Sequence, residues 1–381
     1  MSSYSLWFVD IFKSICLVAD RIQTSSMSDR HKVYILVLLQ AIFFIHLAEC
    51  VRLSSCQKEE KCTRLVSCSP LMNILKPRGM TQAEKDVFAN RQCGLDPNGR
   101  ELLHMVYVCC PELGDVLPSK QTCGKTTPVL GFRGAENAEL KEYPWMVLLL
   151  YENRLSLTWN QRTGCVGSLI NSRYVLTAAH CVIGGYLTHN DLVLKSVRLG
   201  ESHNDSITSV SRGPHLDVEV GQTTVHQGFT SSGGTYHNDI ALLRLRIPLR
   251  YTKQIQPICL LDADFPLHDL NLQVSGWDPT KSSQPLITST IKKRNPVDCL
   301  NGYTSFRPAS QLCAGGQRKR DTCAGISGSP LMGIKESGVD KFVFLAGIAS
   351  YGQQYCYSAG IPGVYTKIDH FLEWIKANLA P

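Results

Sequence analysis

No long run of basic residues occurs in this sequence, although lysine and arginine outnumber aspartate and glutamate by 39 to 32. The net charge of +7 is therefore dispersed, which gives no nucleic-acid footprint. Internal repeats and low-complexity tracts are absent too, so repeat arrays are not indicated. Charged residues make up 19% and hydrophobic residues 44% of 381 positions, which excludes wholesale disorder and collagen-like structure. Long hydrophobic stretches are also scarce. The run Val33–Ala48 has about the length of a signal-peptide core and is short for a membrane span. Glu201 and Asp205 are too few carboxylates for a calcium cage.

Cysteine, by contrast, is abundant. The chain has sixteen, and Cys109 and Cys110 are adjacent. An even count at this density suggests a disulfide framework and an oxidising compartment. The N-terminus agrees. Arg30, His31 and Lys32 precede the apolar run, and Ala48 and Cys50 are small residues placed for cleavage before Val51. Met27 stands where a signal peptide normally begins, so residues 1–26 read as an upstream extension or an over-long gene model. The competing reading is an uncleaved signal-anchor. A secreted, extracellular protein is expected, with no membrane association after signal cleavage.

At about 150 residues per domain, the length suggests two or three domains. Cys56, Cys62, Cys68, Cys93, Cys109 and Cys110 fall within residues 56–110, a span too poor in large apolar clusters to hold a core without staples. Spacing alone leaves fifteen pairings open. Residues 111–131 are rich in Pro, Gly, Thr and Lys without periodicity and read as a linker, which carries Cys123. From residue 132 to 381, short apolar or alternating runs such as Val147–Tyr151, Tyr174–Thr177, Val193–Leu199, Ile240–Leu245 and Phe342–Tyr351 are separated by turn-forming clusters. This pattern predicts an all-β sandwich or barrel. Only Phe371, Trp374, Ile375 and Leu379 show helical spacing.

Three local sequences suggest chemistry. Thr177-Ala-Ala-His180-Cys181 places a histidine after an apolar strand. Asn238-Asp239-Ile240 places a carboxylate at the mouth of another. Cys323-Ala-Gly325-Ile-Ser327-Gly328-Ser-Pro330 places a serine in a glycine-rich loop. Nucleophilic catalysis uses such a set: histidine takes the seryl proton, a buried carboxylate fixes the imidazole tautomer, and backbone N–H groups hold the oxyanion.

The order His180, Asp239, Ser327, together with Glu142-Tyr-Pro-Trp-Met146, Gly276-Trp277 and Gly363-Val-Tyr-Thr366, resembles the chymotrypsin-like serine proteases. With the upstream six-cysteine module, the chain is similar to the arthropod clip-domain serine proteases. That resemblance implies a two-barrel, all-β chymotrypsin-like domain with a C-terminal helix, preceded by a small clip domain. It implies His180 as base, Asp239 as its orienter, Ser327 as nucleophile, and the backbone N–H groups of Gly325 and Ser327 as oxyanion hole. It further implies the disulfides Cys56–Cys109, Cys62–Cys93, Cys68–Cys110, Cys123–Cys259, Cys165–Cys181, Cys299–Cys313 and Cys323–Cys356. These pairings use up the cysteines after Cys50, so no zinc spacing remains. The resulting fourteen-cysteine mature chain favours cleavage after Cys50.

The same resemblance places Asp321, six residues before Ser327, at the base of the S1 pocket, with Gly352 and Gly363 keeping that pocket open. A buried carboxylate there selects Arg or Lys. The plainer reading is a surface Asp after Arg318-Lys-Arg320, itself read as a solvated loop. Protein substrates, other clip-domain proteases and serpin inhibitors are the implied partners in an extracellular cascade, immune or developmental. No cofactor and no metal is expected. Asn204-Asp-Ser206 is a glycosylation sequon.

The sequence departs from the family at its activation latch. Ile326 stands where active members carry the Asp that pairs with the new N-terminus, and Ser329 replaces a glycine. The expected basic residue and Ile-Val-Gly-Gly are here Gly131 and Phe132-Arg133-Gly134-Ala135. Val166 replaces another glycine, and Asp278 follows Gly276-Trp277, where it is either an exposed loop residue or a substitute carboxylate. Two readings follow: a trypsin-like endopeptidase, favoured by the complete triad, and a regulatory protease homolog, favoured by the missing latch. A structural disulfide protein ranks last.

Overall fold

The computed structural model describes residues 54–57, 60–75, 82–96, 102–111, 113–125, 143–154, 162–200, 215–261, 267, 271–277, 286–316, 327–337, 340–352 and 361–381. The chain divides into two compact units, Met1–Glu112 and Leu113–Pro381.

The first unit contains β1 (Lys61–Arg64), α1 (Ser69–Met72), α2 (Gln82–Ala89), β2 (Gln92–Leu95), α3 (Leu102–Met105) and β3 (Val106–Cys110). Its sheet has the order β1-β3-β2. Few apolar side chains are fully buried here, chiefly Leu65, Leu71 and Val108. Three disulfides supply the constraint that so small a core cannot: Cys56–Cys109, Cys62–Cys93 and Cys68–Cys110. Successive residues of a strand point to opposite faces, so adjacent Cys109 and Cys110 take different partners. A buried ion pair, Arg91 with Glu60, completes the interior, and Arg91 Nη1 also donates to the Cys109 carbonyl.

The larger unit begins with strands β4 (Met146–Asn153), β5 (Arg162–Leu169) and β6 (Tyr174–Thr177), followed by short helices α4 (His180–Ile183) and α5 (Gly185–His189). Strands β7 (Leu192–Leu199) and β8 (Leu216–Val225), the hairpin β9 (Thr230–Ser232) and β10 (Thr235–His237), and β11 (Ala241–Leu245) follow. Strands β4–β8 and β11 close a barrel in the order β11-β6-β5-β4-β7-β8. Its inward face is a continuous apolar set that includes Val147, Leu149, Val175, Val197 and Leu243.

The second half contains β12 (Asn271–Gly276), β13 (Ile287–Lys292), α6 (Pro296–Gly302), β14 (Gln311–Ala314), β15 (Pro330–Ser337), β16 (Asp340–Tyr351), β17 (Gly363–Lys367) and α7 (Ile368–Ala377). Six of these strands pair in the order β13-β12-β15-β16-β17-β14, and the Lys293↔Ala314 bridge links the two edges into a second barrel-like sheet.

Helix α6 differs from the expectation of helix only at the C-terminus. Its signal lies in its cap: Asn295 Oδ1 accepts from Val297 N, and Pro296 occupies the first turn. Seven residues are too few for a periodicity to register. Leu379 falls just outside α7, whose last turn ends at Asn378, while Phe371 and Ile375 are buried as the spacing anticipates.

The described part of the linker is packed onto the larger unit. Asn171 Nδ2 donates to the carbonyls of Gly114 and Val116, Gly124 N donates to Pro257 O, and Cys123 is bonded to Cys259. Gly124 has φ +63°, and a Cβ there would lie 2.2 Å from Val343 O, so only glycine fits. Among the described residues, no helix is long and apolar enough to cross a membrane.

Candidate active site

The end of β6 and the start of β11 run side by side, with Thr177 opposite Ala241. The chain therefore leaves β6 at Ala178 and Ala179, both fully buried, and delivers His180 next to Asp239. Two hydrogen bonds join them: His180 N to Asp239 Oδ1 at 2.9 Å, and His180 Nδ1 to Asp239 Oδ2 at 2.8 Å. The first fixes the backbone, and the second fixes the imidazole with Nε2 on the opposite edge. Asp239 has 1% exposure, so its carboxylate depends on protein donors. The second barrel supplies one, because Ser350 Oγ donates to Oδ2. Thr366 Oγ1 also donates to the Asp239 carbonyl at 2.8 Å.

Ser327 enters β15 through a tight turn. Its carbonyl accepts from Val166 N at 2.9 Å, and Gly328 N donates to Ala349 O at 2.9 Å, so both barrels hold this loop. Gly328 has φ +84°, and a Cβ would lie 2.0 Å from Val166 O. Thr177 Oγ1 donates to that same carbonyl. Among the described residues, no hydrogen bond links Ser327 Oγ to His180 Nε2, which lies 3.9 Å from Cys181 Sγ. Ser329, two residues on, is fully buried, and among the described residues its hydroxyl has no hydrogen-bond partner.

Beside the serine loop, Gly352 and Gly363 face each other: a Cβ on Gly352 would come to 3.5 Å from the Gly363 Cα. Aromatic rings line the rest of this region. Tyr236 lies against His180, and Tyr351 sits between Tyr236 and Tyr303. Burial, reinforced by the Asp239 charge, raises the pKa of the Tyr236 phenol. Burial likewise raises that of Tyr351, whose hydroxyl donates to Gln311 Oε1 at 3.4 Å. Both remain neutral rings at physiological pH. Cys165–Cys181 and Cys299–Cys313 brace the two sides of the site. The sulfurs of Cys165 and Cys181 lie near His180 but are joined to each other, so they offer no thiolate to a metal.

Two regions of the chain match known families. Residues 132–375 match the trypsin family, and residues 59–110 match the regulatory CLIP domain of proteinases. The chain belongs to the clip-domain serine proteases. It is 37% identical to the Spaetzle-processing enzyme of Drosophila melanogaster, over 85% of this chain and 90% of that protein. Serine protease ea of the same species is 32% identical, over 84% and 88% of the two chains. The crystal structure of Drosophila Grass, a clip serine protease of the Toll pathway, superposes with a TM-score of 0.54 at 25% identity, covering 83% of this chain and 93% of Grass.

Within this clip-domain protease, the fold brings together His180, Asp239, Gly352 and Gly363, and places Ser327 on a loop held by both barrels. Residues 1–50, Asn204, Asp278, Asp321, Cys323, Gly325, Ile326, Cys356 and the junction at Gly131–Ala135 lie outside the described residues. Sequence reasoning did not single out Ser350 or Tyr236. Ser350 is the penultimate residue of a long apolar strand, just before Tyr351-Gly352, and Tyr236 stands three residues before Asp239; neither position carries a periodic signal. Thr366 closes the Gly363-Val-Tyr-Thr segment, but its role at Asp239 shows only in the folded chain.

Proposed function

We propose that this chain is a secreted, trypsin-like serine endopeptidase of an extracellular cascade, directed to Arg or Lys. The observation that carries the reading is the buried Asp239 carboxylate, which accepts from His180 N, His180 Nδ1 and Ser350 Oγ. With Nδ1 held as a donor, Nε2 is left as the basic nitrogen. His180 Nε2 takes the Ser327 Oγ proton as Oγ attacks the scissile carbonyl. It then returns that proton to the leaving amine, and water hydrolyses the acyl-enzyme by the same route. The N–H groups of Gly325 and Ser327 hold the oxyanion, and Asp321 receives the substrate cation between Gly352 and Gly363. Protein substrates, other clip-domain proteases and serpins are the proposed partners, and Asn204 the proposed glycan site.

A second reading, a regulatory homolog without turnover, draws on two observations. Ile326 replaces the latch carboxylate in the sequence, and among the described residues no hydrogen bond joins Ser327 Oγ to His180. Residues 51–381 treated with trypsin or a clip protease, and assayed on Arg and Lys esters beside Ser327→Ala, separate the two. Turnover lost in Ser327→Ala supports the endopeptidase. Absence of turnover, even after Ile326→Asp and an Arg-Ile-Val-Gly-Gly junction are installed, supports the homolog.

A further inference from the structure

Asp239 holds one edge of the His180 imidazole, but a hydrogen bond along an edge does not stop the ring from tilting about that bond. A second neighbour opposes the tilt. The Tyr236 ring lies parallel to the imidazole, with centroids 4.4 Å apart and planes 5° apart. Tyr236 is itself braced. Its strand pairs with β9 through Tyr236↔Ser231, and Gln311 Nε2 donates to its carbonyl at 2.8 Å. Phe229 stacks near its ring at 6.1 Å, and Tyr351 meets that ring edge-on at 6.1 Å.

We propose that Tyr236 is a positioning residue: its ring, wedged between Phe229, Tyr351 and the imidazole, keeps His180 in the plane in which Nδ1 meets Asp239 and Nε2 serves the nucleophile. The proposal rests on the reading of His180 as general base. The stack also strengthens as the reaction proceeds. When His180 gains the seryl proton, an imidazolium lies over a neutral aromatic face, a favourable cation–π arrangement. The benefit therefore falls on the chemical step more than on substrate binding. An aromatic pair of this kind predicts a loss of about three- to tenfold in kcat when the ring is removed.

The test uses the chain from Val51 with labelled histidines, the His180 signals being assigned by their loss in His180→Asn. The expected result is His180 ring protons shifted upfield in the wild type and in Tyr236→Phe, and moved back downfield in Tyr236→Leu. Leucine keeps the site covered while removing the ring, and Tyr236→Met is the alternative if leucine prevents folding. On an Arg ester, the ring-free variant is expected to lose kcat about three- to tenfold with KM nearly unchanged, and phenylalanine to restore it. Signals that stay upfield without the ring would overturn the proposal. So would a loss confined to KM, or phenylalanine as impaired as leucine. If the protease-treated chain does not turn over even with Ile326→Asp and the Arg-Ile-Val-Gly-Gly junction installed, the endopeptidase reading fails, while the ring signals still decide whether Tyr236 holds the imidazole.

Discussion

Ser350 Oγ donates to Asp239 Oδ2, the same oxygen that receives His180 Nδ1. The donor comes from β16 of the second barrel and the acceptor from the loop before β11 of the first, so one hydrogen bond ties the buried carboxylate across the two halves. Ser350→Ala leaves that carboxylate one donor short. Unfolding in urea should report a loss of about 1–3 kcal/mol; an unchanged midpoint would show that the bond contributes nothing.

Ser329 has the opposite problem. Its hydroxyl is fully buried and, among the described residues, has no hydrogen-bond partner. Ser329→Ala keeps the backbone, which is not at positive φ, and removes the orphan group. Stability should rise by about 1 kcal/mol in the same urea experiment. A loss of stability would mean that the hydroxyl has an acceptor in solution.

Gly328 admits no side chain. With φ +84° and a Cβ that would lie 2.0 Å from Val166 O, Gly328→Ala must push the serine loop away from β5. The expected cost is about 3 kcal/mol or more, above the usual range for single substitutions. Thermal unfolding within 1–2 °C of the wild type would contradict this geometry.

His226 predicts a pH dependence. Burial, with a smaller contribution from His370, lowers its pKa, and its Nδ1 accepts a hydrogen bond from Gly228 N. The folded state therefore holds this imidazole neutral. As pH falls below about 6.5, the unfolded chain takes up the proton first, so stability declines until the folded imidazole is protonated as well. Urea midpoints at pH 7.5 and 5.5 should differ less in His226→Gln than in the wild type. An identical slope in both proteins would assign the effect elsewhere.

Cys123–Cys259 spans a sequence separation of 136 residues, with its first cysteine in the packed segment 113–125. A chain cut between residues 126 and 142 should run as one band on a non-reducing denaturing gel and as two after reduction. The Cys123→Ala/Cys259→Ala double variant should give two bands under both conditions.

Much of the site could be read from the chain itself. His180, Asp239 and Ser327 each sit beside a strong local pattern: an apolar strand before the histidine, another after the aspartate, and glycines around the serine. The strands over 174–177 and 193–199 were legible because their apolar residues outlast a single turn. The hairpin at 230–237 was not, because its residues are polar and its short strands are held by pairing with each other. Helix α6 was missed because seven residues carry a cap but no period.

The sequence by itself determined which chemistry is present: residue types, their order, an oxidisable set of cysteines, and the replacement of the latch residues. Those properties are local, and adjacency along the chain is enough to reveal them. Only the tertiary structure decided what surrounds the imidazole. Ser350 lies 111 positions from Asp239, and Gln311 lies 75 positions from Tyr236. Contacts at such separations arise where two barrels pack together, and no periodicity along the chain encodes which side chains meet there.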